Sequence, residues 1–166
     1  LGTNSMVAYA MVDVFAGVSG EFNGGWIEAI SSLGSMAFGA RNYELGGKYA
    51  QIACVAFVLC EIPMAFVWGF SIGPILRLMG FPEEVATLAG TYIWVQVAVN
   101  MMQGLNEGVL DFLEIIEHEQ YSNIMFCIVA FVQLGLVAAV AITTDSSLVM
   151  LGLVMLAVQA AFFFIN

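Results

Sequence analysis

Residues Val85 to Leu110 read VATLAGTYIWVQVAVNMMQGLNEGVL. A helix of that length rises about 39 Å, more than the ~30 Å hydrocarbon core of a bilayer. Gln96, Asn100, Gln103, Glu107, Asp111 and Glu114 are spaced by four, three, four, four and three, so they share one face of a helix. Val, Ile, Leu and Met fill the opposite face. A charged group at mid-membrane costs about 2.5–3.5 kcal/mol unless it faces protein or water. This face is therefore expected to look inward, onto a hydrated interior.

The same pattern occurs earlier in the chain. Asp13, Gly17, Gly20, Glu21, Gly24 and Glu28 also fall on one helical face, and Ser31, Ser32 and Ser35 continue it. Small residues let a neighbouring helix approach closely, and carboxylates in that setting need water, a proton or a cation. Glu61, Gln133 and Gln159 are single polar residues on other apolar segments, expected to bond between helices. Glu21, Glu28, Asn100, Gln103, Glu107 and Gln133 are the candidates for a cation, proton or substrate path. The competing reading is helix-to-helix adhesion without transport.

Composition agrees with a membrane protein. Of 166 residues, 61% are hydrophobic, and the mean hydropathy is +0.96. No soluble domain needs so apolar a surface. The expected fold class is all-α, a polytopic membrane bundle forming one domain over residues 1–166. Spans are expected at about 6–40, 49–70, 85–110, 124–142 and 148–166, with membrane lipid around them. The first is longer than a bilayer requires, so it either protrudes or bends near Gly24-Gly25. Pro63 is expected to kink the second. Arg41–Lys48, Gly69–Glu84 and Asp111–Asn123 read as loops. Arg41 and Lys48 against Arg77 place the first of these loops on the cytoplasmic side.

Charge and motifs exclude other classes. Three Lys and Arg face thirteen Asp and Glu, so nothing could neutralise nucleic-acid phosphates. Cys54, Cys60 and Cys127 lie in apolar segments without CxxC spacing and read as small buried hydrophobes. Glu114, Glu117, His118 and Glu119 do not make a di-iron site, which needs two Glu-x-x-His pairs. There is no P-loop and no G-x-S-x-G. No enzyme, metal site or cofactor is expected. Leu1 is preceded by no Met or basic segment, and the chain stops in an apolar run, so a piece of a longer protein is expected.

Three stretches carry a family resemblance. GWIEAISSLGSMAFGARNYELG (Gly25 to Gly46), MGFPEEVATLAGTYI (Met79 to Ile93) and LDFLEIIEHEQY (Leu110 to Tyr121) occur in this order. They resemble segments of MATE-type multidrug and toxin extrusion transporters. Ala37, Gly39, Ala40, Leu45 and Gly46 match the first pattern, Val85, Ala86, Ala89 and Tyr92 the second, Phe112 and Leu113 the third. Met36 and Ser35 stand where the family has Gln and Gly, and Glu114, Ile116 and Glu117 replace Gln, Gln and Gly. The resemblance implies spans two to six of a twelve-span carrier, with its first span and its second lobe as missing partners. It also implies export of small organic, cationic substrates by antiport, with H+ or Na+ as the coupling ion and no cofactor. A lipid-linked oligosaccharide flippase of the same superfamily is the alternative, against which the acidic lining speaks. A membrane scaffold subunit that does not transport is a third.

Overall fold

The computed structural model describes residues 2–143 and 147–165. Five helices account for them: α1 (Thr3–Gly39), α2 (Tyr43–Leu78), α3 (Glu83–Ile115), α4 (Glu119–Thr143) and α5 (Leu148–Phe163). The all-α bundle is as the apolar segments required. Among the described residues, α2, α3 and α4 are long and apolar enough to cross a membrane. α1 is 37 residues long and falls outside that set. α5 is a shorter apolar helix.

The helices run further, and the loops are shorter, than the sequence suggested. α1 is one unbroken helix through Gly24-Gly25. α2 continues through both Pro63 and Pro74 to Leu78, so most of the expected Gly69–Glu84 loop is helical. Inside a membrane the groups freed by proline are re-satisfied by neighbours, which makes it a weaker helix breaker than in water. The connections are tight because α1, α2 and α3 end in the same way. After α1, the Arg41 amide bonds the Phe38 carbonyl and the Asn42 amide the Ala37 carbonyl. After α2, Gly80 and Phe81 repeat this on Arg77 and Leu76. After α3, Glu117 and His118 repeat it on Glu114 and Leu113. This is the Schellman closure, which needs one residue with positive φ. Gly80 adopts it at +84°, as glycine readily does, but Arg41 (+57°) and Glu117 (+66°) adopt it too. Without a glycine at two of the three turns, the sequence carries little sign of them. Asn42 then caps α2, its Oδ1 accepting from the Leu45 amide at 3.1 Å.

α1, α2 and α3 pack on one another, α5 packs on α3, and α4 touches α5 and α3. One apolar core joins Ala8, Val12 and Ala16 of α1 to Ile72 and Leu76 of α2, Ala89, Tyr92 and Ile93 of α3, and Leu148 of α5. A second, nearer the other end of α1, joins Ile27 and Ile30 to Ala53 and Phe57. α2 and α3 approach closely at Gly104, where a Cβ would lie 2.2 Å from the Phe57 ring, and at Gly69, where a Cβ would lie 2.3 Å from the Trp94 ring. Of the cysteines, Cys54 and Cys60 are half-buried and Cys127 is exposed on α4, so only the first two resemble the small buried residues expected.

Candidate functional site

The polar faces of α1 and α3 meet beside the second core. A cavity of about 410 Å³ is lined by Gly17, Gly20, Glu21, Gly24, Ile27 and Glu28 from α1, by Phe57 and Glu61 from α2, and by Asn100, Gln103, Gly104, Glu107 and Asp111 from α3. The periodicity brings these groups together: four-residue steps on α1 and α3 aim both stripes at the same hollow. Gly20, Gly24 and Gly104 keep its walls low. Five carboxylates surround the space, and no Lys, Arg or His lines it.

Five of the six residues read as a path from the sequence lie here. Glu21, Glu28, Gln103 and Glu107 are exposed and Asn100 half-buried, which fits side chains on an open hollow rather than in a dry core. Gln103 Nε2 donates to Glu107 Oε1 at 3.1 Å. A polar ladder climbs α3 towards them: Tyr92 Oη donates to Gln96 Oε1 at 2.7 Å, and Gln96 Nε2 to Asn100 Oδ1 at 2.9 Å.

Gln133 is the exception. It lies on α4, outside the acidic cavity, and its Oε1 accepts from Gln159 Nε2 at 3.0 Å. Gln159 Oε1 in turn accepts from Asn106 Nδ2 at 2.8 Å. The three amides tie α3, α5 and α4 together. Gln133 also borders an apolar hollow of about 690 Å³ walled by Tyr9, Tyr92, Leu134 and Leu148, among others. A smaller hollow of about 180 Å³ between α3, α4 and α5 places Gln133 together with Gln103 and Glu107.

Glu61 and Gln159 do bond between helices, as their isolation suggested. Glu61 accepts from Asn23 Nδ2 at 2.5 Å, and it also reaches the cavity wall. The partners Asn23 and Asn106 were not singled out by sequence reasoning, nor was Ser19, which accepts from the Trp68 indole N–H. Asn23 lies off the acidic stripe, on the buried face with Ile27, Ile30 and Gly34. Its spacing from those residues, four, three and four, was the available signal. Glu114, Glu117, His118 and Glu119 form no metal cluster, and no group of three or more His, Cys, Asp or Glu among the described residues could hold a metal ion.

The MatE family profile matches residues 1–136. Protein DETOXIFICATION 37 of Arabidopsis thaliana is 37% identical over 86 residues, 52% of this chain and 17% of that protein. Protein DETOXIFICATION 16 of the same plant is 32% identical over 93 residues, 55% of this chain and 19% of that protein. Protein DETOXIFICATION 39, also from Arabidopsis thaliana, is 38% identical over 65 residues, 39% of this chain and 13% of that protein. The matched stretches therefore span less than a fifth of these curated relatives. No solved structure matches the chain. With a profile covering residues 1–136 of 166 and a bundle of apolar helices bearing inward polar stripes, the chain is a multi-pass membrane protein and belongs to the MatE family.

Proposed function

We propose that this chain is part of a secondary active antiporter that exports organic, cationic compounds in exchange for protons or sodium ions. The observation that carries the reading is the convergence of Glu21, Glu28, Glu107 and Asp111 with Glu61 on one cavity without a basic side chain. Such a lining concentrates cations by its field. Membrane carboxylates that face a wet interior are the groups from which ion and proton paths are built. Family membership and the names of the relatives support transport of toxic or foreign compounds. Alternating access needs a second bundle to move against this one, and that lobe is the partner the reading requires. The coupling ion replaces any cofactor.

Glu21, Glu28 and Glu107 are assigned to the ion or substrate path, with Asn100 and Gln103 as neutral polar lining. Glu21→Gln, Glu28→Gln and Glu107→Gln, made in the protein that carries this chain, test the assignment. Efflux of a fluorescent organic cation under an imposed proton or sodium gradient is the readout. Loss of one coupling carboxylate is expected to slow efflux about tenfold or more, the effect of roughly 1.4 kcal/mol of differential binding. Unchanged efflux in all three variants contradicts the reading.

A further inference from the structure

The acidic cavity has a neighbour across α3. Gln103 and Glu107 line the cavity, and they also line the smaller hollow of about 180 Å³ between α3, α4 and α5. These two shared residues are joined by the bond from Gln103 Nε2 to Glu107 Oε1 at 3.1 Å. Beyond them the chemistry changes. The rest of the hollow's polar wall is made of three amides, Asn106, Gln133 and Gln159, and no Lys, Arg or His borders it.

The amides are oriented by the backbone. Asn106 Nδ2 donates to the Gln159 carbonyl at 3.0 Å, a group that can only accept. The same nitrogen donates to Gln159 Oε1 at 2.8 Å, so Gln159 Nε2 is left to donate to Gln133 Oε1 at 3.0 Å. Three amide nitrogens, those of Gln103, Asn106 and Gln159, are thus spent on bonds within the wall. The acceptor Asn106 Oδ1 is not. Asn106 is 3% exposed, and this oxygen is buried with no hydrogen-bond partner. A buried oxygen that has lost water and gained no donor is unfavourable, and few are left so. Glu107 adds a carboxyl group to the same wall. Only Gln133 keeps its nitrogen uncommitted, and it also borders the larger apolar hollow. The balance favours a guest that brings N–H donors.

Size limits the guest. About 180 Å³ is less than the ~300–1,000 Å³ of a site for a whole drug-sized ligand. The hollow therefore takes one end of a molecule whose body lies in the adjoining cavity, where Ile27 and Phe57 give an apolar wall. We infer that this hollow is a selectivity subsite, which favours organic cations whose charged group carries N–H (guanidinium, amidinium or primary ammonium) over quaternary ammonium. Asn106 offers the acceptor, and Gln159 and Gln133 hold it in place. A site built to bond a donor rejects the analogue that lacks it, because its polar groups then stay unpaired. The inference rests on the reading of the acidic cavity as an organic-cation site and names the class of cation.

Equilibrium binding of phenylguanidinium and phenyltrimethylammonium tests it, in the protein that carries this chain, in lipid nanodiscs without an ion gradient. Both probes have one positive charge and one aromatic ring, and only the first has N–H. Phenylguanidinium is expected to bind at least tenfold more tightly. Val129→Phe fills the hollow from α4 without removing a side-chain hydrogen bond, and Asn106→Leu removes the acceptor. Each is expected to bring the ratio of affinities close to one. Val129→Phe, with its fold verified by circular dichroism, is expected to keep the affinity for phenyltrimethylammonium. Equal affinities in the unaltered protein, or a preference that survives both variants, overturn the inference. Equal affinities that Glu21→Gln or Glu28→Gln still lowers overturn it alone and leave the cation site of the transport reading standing. No binding of either probe overturns both.

Discussion

The three-helix unit α1–α2–α3 and helix α4 are made of similar apolar residues but pack very differently. In the most apolar 18-residue window of α3, 44% of residues are buried, whereas in that of α4 none is. Apolar residues do not draw helices together in lipid, since the acyl chains are equally apolar. Adhesion comes from polar bonds and from small residues that allow close contact. The three-helix unit has both: Asn23 to Glu61, Trp68 to Ser19, and the closely packed Gly104. α4 has the Gln133–Gln159 bond, and Phe126, Phe131, Leu134 and Ile142 remain exposed. The most apolar surface is thus the least packed one, and the acidic cavity sits within the well-packed unit.

Substitutions at three positions break or sharpen this contrast. Gly104→Ala has the largest expected effect. Its Cβ would fall 2.2 Å from the Phe57 ring, and Phe57 is buried, so the ring must shift within a filled core. Overpacking of this kind costs about 1–3 kcal/mol, measured as earlier unfolding in detergent. Asn106→Leu comes next. It removes the amide that binds Gln159 and loosens α3 from α5. The Asn106 Oδ1 atom has no partner to lose, so the cost falls near the usual ~0.6–1.7 kcal/mol for interhelical bonds in membranes. Gly135→Ala on α4 has the smallest effect and the opposite sign. Nothing lies within 4 Å of a Cβ placed there, and replacing a helix glycine by alanine gains up to about 1 kcal/mol. Equal destabilisation by Gly104→Ala and Gly135→Ala would erase the contrast.

The cavity was legible in the sequence because its residues obey one rule. Glu21 to Glu28 and Asn100 to Asp111 repeat at steps that keep a helix face, and lipid forces that face inward. The groups that position the cavity were harder to read. Asn23 and Asn106 are lone amides among apolar neighbours, and which helix they meet depends on packing, not on their own helix. Gln133 was joined to the path on its polarity; it lies outside the acidic cavity but shares a smaller hollow with Gln103 and Glu107. Helix ends were hidden for a local reason: Arg41 and Glu117 take the left-handed turn usually marked by glycine, and Pro63 and Pro74 lie within α2 without ending it.

The central claim is that carboxyl and amide groups from three helices face one water-filled space. Thiol accessibility tests it most directly. Single cysteines at positions 21, 28, 103 and 107, and at 131 and 134 on α4, are placed in the full chain with Cys54, Cys60 and Cys127 replaced by Ala. A charged, membrane-impermeant maleimide is then applied to the protein in bilayers. The account predicts labelling at 21, 28, 103 and 107 and protection at 131 and 134. Silence at all four cavity positions, with normal folding, contradicts it.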